Sequence, residues 1–259
     1  MDRELFARHA AVVRHGLAFE LGCEPAHFDT HALTVVPAPE SRTDDGALVL
    51  TLGTGTVVTV EAPYMSWARE HAPTVHYKAM QPPFLAELAA EMSSGGRAIR
   101  AKASSLGYTL ADIPPAVELP AGFHIEERGK DWMASDPSLI YEYDNAIGGG
   151  EPKDLPERAL VLLDGRGTVA AVTGFWPHQQ DRYEIGLDVA RAFRGQGLAR
   201  LITNASTLWI LERGRVPQYT CQVSNLRSHR VAASCGFVPF WAYASVGTDF
   251  TPSAATAAP

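Results

Sequence analysis

Residues 183–212 read YEIGLDVARAFRGQGLARLITNASTLWILE. Tyr183 to Val189 has the alternation of a strand, and 198–213 has the spacing of a helix that ends at Gly214. Between them lies Arg194-Gly195-Gln196-Gly197-Leu198-Ala199. A strand that runs through a glycine turn straight into a helix favours an anion. Glycines let successive amides turn toward one point, and the first helical turn adds donors without partners. The helix dipole contributes on the order of 0.3–1 kcal/mol per charge. Gly197 and Ala199 leave space for a pyrophosphate to approach the backbone, and Arg194 offers a charge-assisted contact. Other phosphate loops fit poorly. GxxxxGK[ST] needs a Lys that is missing here, and GxGxxG fails at Arg200.

Working outward, the chain alternates between strand and helix patterns. Residues 2–21 carry Leu5, Phe6, Val12, Val13, Leu17 and Leu21 at helical spacing. A strand is expected at 33–36, and a hairpin at 48–52 and 56–60 around Gly53-Thr54-Gly55. Helices are expected at 83–94 and 97–105, with Arg97, Arg100 and Lys102 on a solvated face of the second. The three prolines between Ile113 and Gly122 rule out a helix there and place a domain boundary near residue 121. Beyond it, a strand at 123–126, one or two helices at 129–145 and a Gly/Pro-rich loop at 145–156 precede strands at 159–163 and 169–175, which Asp164-Gly165 joins. After the glycine turn and its helix come a strand at 218–223, a helix at 226–235 and a strand at 240–246. The tail TPSAATAAP reads as disordered. The organisation is an α/β domain over 1–121, a mixed-sheet α/β domain over 122–247 and a tail over 248–259.

Two stretches together resemble the GNAT family of N-acetyltransferases. The acyl-CoA signature Q/R-x-x-G-x-G/A appears as Arg194-x-x-Gly197-x-Ala199. The strand, N-x-x-S/A turn, helix and G-F ending appear as Val223-Ser224-Asn225-Leu226-Arg227-Ser228 leading to Cys235-Gly236-Phe237. The resemblance covers 123–247. Pro217 to Cys221 looks like the bacterial branch that includes zwittermicin A resistance acetyltransferases. On that branch, 1–121 reads as a diverged GNAT-like unit without a second Arg-x-x-Gly-x-Gly turn.

The resemblance implies that acetyl-CoA lies where the fourth and fifth strands of the domain splay apart. Leu187 and Val189 would offer backbone groups to the pantetheine arm. Arg194, Gly195, Gln196, Gly197, Leu198 and Ala199 would hold the pyrophosphate, and Asn225 and Ser228 the pantetheine turn. Plain capping of the next helix is the competing reading of Asn225 and Ser228. An alkyl ammonium of pKa about 10.4 cannot attack a thioester until a base or water takes its proton. Glu184 matches the position of the family's glutamate base, and its alternative is an exposed strand-end carboxylate. Many members carry a Tyr seven residues after the Asn as acid to the thiolate, whereas this chain has Ala232. Tyr219 and Tyr243, on neighbouring strands, are the substitutes. Trp176, Tyr141 and Tyr143 are the candidates for lining the acceptor site.

Composition narrows the rest. Of 259 residues, 22 are Lys or Arg and 29 Asp or Glu, a net charge of −7. That balance argues against a nucleic-acid partner and favours a cationic one. The three cysteines share no CxxC spacing, and His27 and His31 lack the glutamate of HExxH, so no metal is expected. The cysteines, the start MDRELFARHAAVVRHG and the lack of a long apolar run point to the cytoplasm, with no membrane partner. The expected activity is transfer of an acetyl group from acetyl-CoA to the primary amine of a small molecule, and a homodimer is compatible with it. Two other readings stand beside it: an acyl-CoA-binding module without catalysis, and a tandem-GNAT transferase acting on an aminoacyl or thiol-cofactor precursor.

Overall fold

A computed structural model describes residues 1–40, 46–94, 96, 98–102, 104–148, 154–179 and 181–248. Helix α1 (Arg3–Leu21) starts at Asp2, whose carboxylate accepts from the amides of Glu4 and Leu5 at 3.0 Å. The β-branched runs that follow form β1 (Leu33–Pro37), β2 (Ala47–Thr51) and β3 (Thr56–Val60). Helices α2 (Met65–Glu70) and α3 (Pro82–Ser93) precede β4 (Ile99–Ala101) and β5 (Ser105–Leu110). Then come β6 (His124–Gly129), the short helices α4 (Lys130–Ser135), α5 (Pro137–Glu142) and α6 (Asp144–Ile147), β7 (Arg158–Leu163) and β8 (Val169–His178). The chain closes with β9 (Arg182–Val189), α7 (Leu198–Glu212), β10 (Val216–Gln222), α8 (Leu226–Ser234) and β11 (Phe237–Thr248). Residues 249–259, which hold the expected tail, and Gly149, Gly150 and Arg97 lie outside the described residues.

The strands make one mixed sheet in the order β1-β3-β2-β11-β5-β10-β9-β8-β7-β6, with β4 beside β11. The expected boundary near residue 121 falls in the link between β5 and β6, and strands from both sides of it share the sheet. The expected helix at 97–105 is absent. Its place is taken by β4, paired with β11, and by the start of β5. Its composition suited a helix, but tertiary pairing outweighs so weak a preference.

Strand β5 fills the slot between β10 and β11. It pairs antiparallel with β10 from Gln218↔Thr109 to Gln222↔Ser105, and with β11 from Phe237↔Leu110 to Tyr243↔Ser105. Tyr108, Thr109 and Leu110 are buried there. Gly107 is required by a close approach: a Cβ on it would overlap the indole of Trp241.

Helices cover the sheet over most of both faces. Helix α7 buries Leu198, Ile202 and Ile210 against Leu160, Phe175, Ile185 and Tyr219. Helix α1 buries Val13, Leu17 and Leu21 against Leu50, Val216 and Trp241. Full burial of such a side chain contributes about 1.5–3 kcal/mol. Among the described residues no helix is long and apolar enough to cross a membrane.

A chain beginning at residue 120 would leave β10 and β11 without the strand between them. Such a chain is expected to lack a cooperative thermal unfolding transition by circular dichroism, whereas the full chain unfolds in one. A sharp transition in the shortened chain would show β5 to be dispensable.

Candidate active site

Strands β9 and β10 are parallel but pair over only three positions, Val216↔Arg182, Pro217↔Tyr183 and Gln218↔Glu184. Beyond Glu184, β9 stays paired with β8 as far as Val189, while β10 stays paired with β5. The two strands therefore part, and one edge of β9 from Ile185 to Val189 has no strand beside it. A cleft of about 1570 Å³ opens there. Leu187, Val189, Arg194, Gly195, Gly197, Leu198, Ala199, Asn225 and Ser228 line it. So do Glu184, Tyr219, Tyr243 and Trp176.

The turn into α7 has the geometry of an anion cradle. Gly195 and Gly197 both adopt φ of +80°, the left-handed region that favours glycine. Nothing lies within 4 Å of where a Cβ on either would stand. Gly197 is the N-cap of α7, and no side chain caps the helix. Its first amides thus keep their donors for a ligand. Arg194 Nε donates to the Val189 carbonyl at 3.0 Å, which holds the turn against the end of β9. Arg191 and Arg227 also line the cleft. A pyrophosphate fits these groups in charge and in donor supply.

The opposite wall comes from β10 and α8. The Asn225 side chain accepts from the Ser228 amide at 3.2 Å, so it caps α8 as well as facing the cleft. The hydroxyls of Tyr219 and Ser228 lie 2.7 Å apart. Burial, opposed by that hydrogen bond and aided by nearby Cys221, pushes the Tyr219 phenol up to about 12. Ala232, where the resemblance leads one to expect a tyrosine, is fully buried in the core beside α7.

At the inner end of the cleft stands a charged cluster. His178 Nε2 lies 3.0 Å from Glu184 Oε2, and His178 Nδ1 lies 3.1 Å from Glu20 Oε1 of α1. Thr220 donates to the other oxygen of Glu184. Arg182, 0% exposed, donates to Glu20, to Gln218 at 2.9 Å and to the Gln179 carbonyl at 2.9 Å. Burial disfavours charge on His178, but its hydrogen bonds to Glu184 and Glu20 and their charges outweigh it and push its pKa up to about 9. Burial likewise opposes the charge on Glu184, and the His178 and Thr220 contacts overcome it and hold its carboxyl below the usual range. Near neutral pH this is an ion pair held from both sides.

The other expected residues lie apart from this cluster. Gln196 is in the turn but does not line the cleft. Tyr141 is 67% exposed on α5, and Tyr143 is buried with its hydroxyl donating to the Val169 carbonyl at 3.0 Å, so neither lines the cleft. Asp188 faces the cleft, but it accepts from Asn145 Nδ2 and the Ala146 amide, both at 3.0 Å, and tethers α6 to β9. Glu20 and Arg182 escape sequence reasoning. No local pattern marks Glu20 on α1, and an Arg at the start of a strand reads as a solvent-facing end. Among the described residues no group of three His, Cys, Asp or Glu side chains is arranged to hold a metal ion.

Residues 120–237 match the family described as "Acetyltransferase (GNAT) family". A curated relative from Bacillus subtilis (strain 168), described as "Uncharacterized N-acetyltransferase YdfB", is 25% identical over 139 residues, 52% of this chain. The match spans about half of that relative, 51% of its length. An X-ray structure of a Drosophila protein superimposes with a TM-score of 0.52 at 16% identity, over 78% of this chain and 74% of that one, a likeness of fold. A GCN5-related N-acetyltransferase from Sphaerobacter thermophilus gives a TM-score of 0.48 at 16% identity, over 76% of this chain and 75% of its own.

The raised pKa of His178 has a consequence for stability. The folded value lies above the ordinary 6.5, so its contribution is complete below about pH 6.5 and is lost as pH rises through about 9. The difference corresponds to about 3 kcal/mol. In urea unfolding at pH 6 and pH 9, the wild type is expected to lose that much more stability than His178→Gln. Equal losses would mean that the imidazolium is not held in the native state.

Proposed function

We propose, from the match of residues 120–237 to the GNAT acetyltransferase family, that the protein transfers an acetyl group from acetyl-CoA to the primary amine of a small molecule. The observation that carries this reading is the continuity of one cleft. It runs from the uncapped N-terminus of α7, past the unpaired edge of β9, to the Glu184–His178 pair. Arginines 191, 194 and 227 line this cleft, and Glu184 stands at the end of β9 away from the glycine turn.

Acetyl-CoA supplies an acyl group already activated as a thioester. Gly195, Gly197, Leu198 and Ala199 hold its pyrophosphate through backbone amides, with Arg194 beside them. Asn225 and Ser228 border the pantetheine arm. The free edge of β9 at Leu187 and Val189 offers backbone groups to that arm and to the acyl oxygen, where charge develops. Glu184, the candidate base, takes the proton of the ammonium and passes it to Nε2 of His178 once that ring is neutral. A ring of pKa about 9 is well matched to an amine near 10.4. Tyr219 acts on the leaving thiolate by hydrogen bonding. Protonation by a phenol of pKa about 12 would be uphill against a thiol near 8.5.

Calorimetric titration of acetyl-CoA tests the cradle. Gly197→Asp places a carboxylate before the pyrophosphate in a backbone region that only glycine favours, and affinity is expected to fall at least tenfold. Undiminished affinity would refute the cradle. Binding by the wild type with no turnover on any amine would leave a binding module without catalysis.

The pH profile tests the relay. Because His178 must lose its proton, kcat/KM is expected to rise with pH up to about 9. Glu184→Gln is expected to lower kcat by a factor of about 10²–10⁴ while acetyl-CoA affinity stays within twofold. Glu20→Gln should shift the rising limb to lower pH. A profile unmoved by Glu20→Gln would exclude His178 as the group that titrates.

A further inference from the structure

A second cavity, of about 290 Å³, adjoins the cleft behind His178, Glu184, Thr220 and Tyr243, residues that line both. It lies between α1 and the sheet. Its middle is apolar, with Leu17 and Leu21 of α1, Leu48 and Leu50 of β2 and Trp241 of β11 among its walls. Most of that surface is contributed by residues before 121. At one side stand Glu20, Glu184 and His178. At the other stand Ser245 and Lys102. The Lys102 amide donates to the Ser245 carbonyl at 2.8 Å, which sets Lys102 beside β11, in line with β5. Two strand spacings separate that line from β9, so the backbones that carry Lys102 and Glu184 stand about 10 Å apart across the sheet. No ion pair joins Lys102 to a described acid.

We propose that this cavity is the acceptor site, and that it takes an elongated amine whose other end carries an anionic group. The assignment rests on the acetyltransferase reading and deepens it. The amine meets Glu184 and His178 where the cavity joins the cleft, within reach of the free edge of β9. The body of the acceptor displaces water from Leu17, Leu48, Leu50 and Trp241. The anion meets Lys102, which lines the cavity and is paired with no acid among the described residues. The first half of the chain therefore selects the acceptor, while the second half holds the acyl donor.

The test uses the full chain and two matched series of probes: straight-chain ω-amino carboxylates of four to ten carbons, and n-alkylamines of the same lengths. Binding is measured calorimetrically in the presence of CoA, and transfer by release of CoA thiol from acetyl-CoA. At the best length, the amino carboxylate is expected to bind at least tenfold more tightly than the matching alkylamine. Lys102→Met should abolish that preference and leave alkylamine affinity within twofold. Leu48→Trp, which fills the apolar middle, should abolish binding of both series without changing acetyl-CoA affinity. No preference for the amino carboxylates at any length, or full binding by Leu48→Trp, overturns the assignment. The expected binding pattern without any thiol release sustains the site and overturns the acetyltransferase reading.

Discussion

A guanidinium with no exposure to solvent sits at the start of β9, and the need to pair it organises the centre of this molecule. Leaving a buried charge unpaired costs several kcal/mol, so Arg182 draws Glu20, Gln218 and the Gln179 carbonyl around it. Glu20 belongs to α1, at the other end of the chain. Its carboxylate reaches Arg182 only because α1 lies on the sheet with Leu17 and Leu21 buried against it. The same carboxylate then reaches His178, and through it Glu184. One structural ion pair thereby sets the electrostatics of the proposed proton relay.

The sheet imposes a second constraint. Strand β5 arrives from the first half of the chain and lies between β10 and β11 of the second. It holds β10 away from β9 by pairing with it down to Gln222, while β8 keeps β9 straight to Val189. Two strands held by different neighbours must separate, and the cleft is the gap between them. The two halves are thus joined through the backbone hydrogen bonds that shape the site.

Polarity varies along the gap. Arg191, Arg194 and uncapped amides lie at the glycine turn, and Glu184 lies toward the other end of β9. Under the proposed function, the diphosphate of the donor would go to the turn and the amine of the acceptor to the Glu184 end. Coulomb forces over such distances are felt because the low-dielectric walls screen them less than open water does.

Much of this was legible in the residues. The glycine turn, its helix and the strand before it are local features: positive φ calls for glycine, and helical amides begin where the helix begins. Glu184, Tyr219 and Asn225 stand out because strand and turn patterns assign them places. The segment at 97–105 misled because three basic residues among alanines and serines suit a helix, and only pairing with β11 and β10 makes strands of it. The place of Lys102 beside a cavity follows from that pairing. By itself the sequence determined the glycine turn ahead of α7 and the alternation of strands and helices, since both depend on residues within a few positions of each other. Only the tertiary structure decided that Glu20 meets His178 across 158 residues and that β5 parts β10 from β9. Such contacts depend on which apolar faces pack together, and no local pattern specifies that.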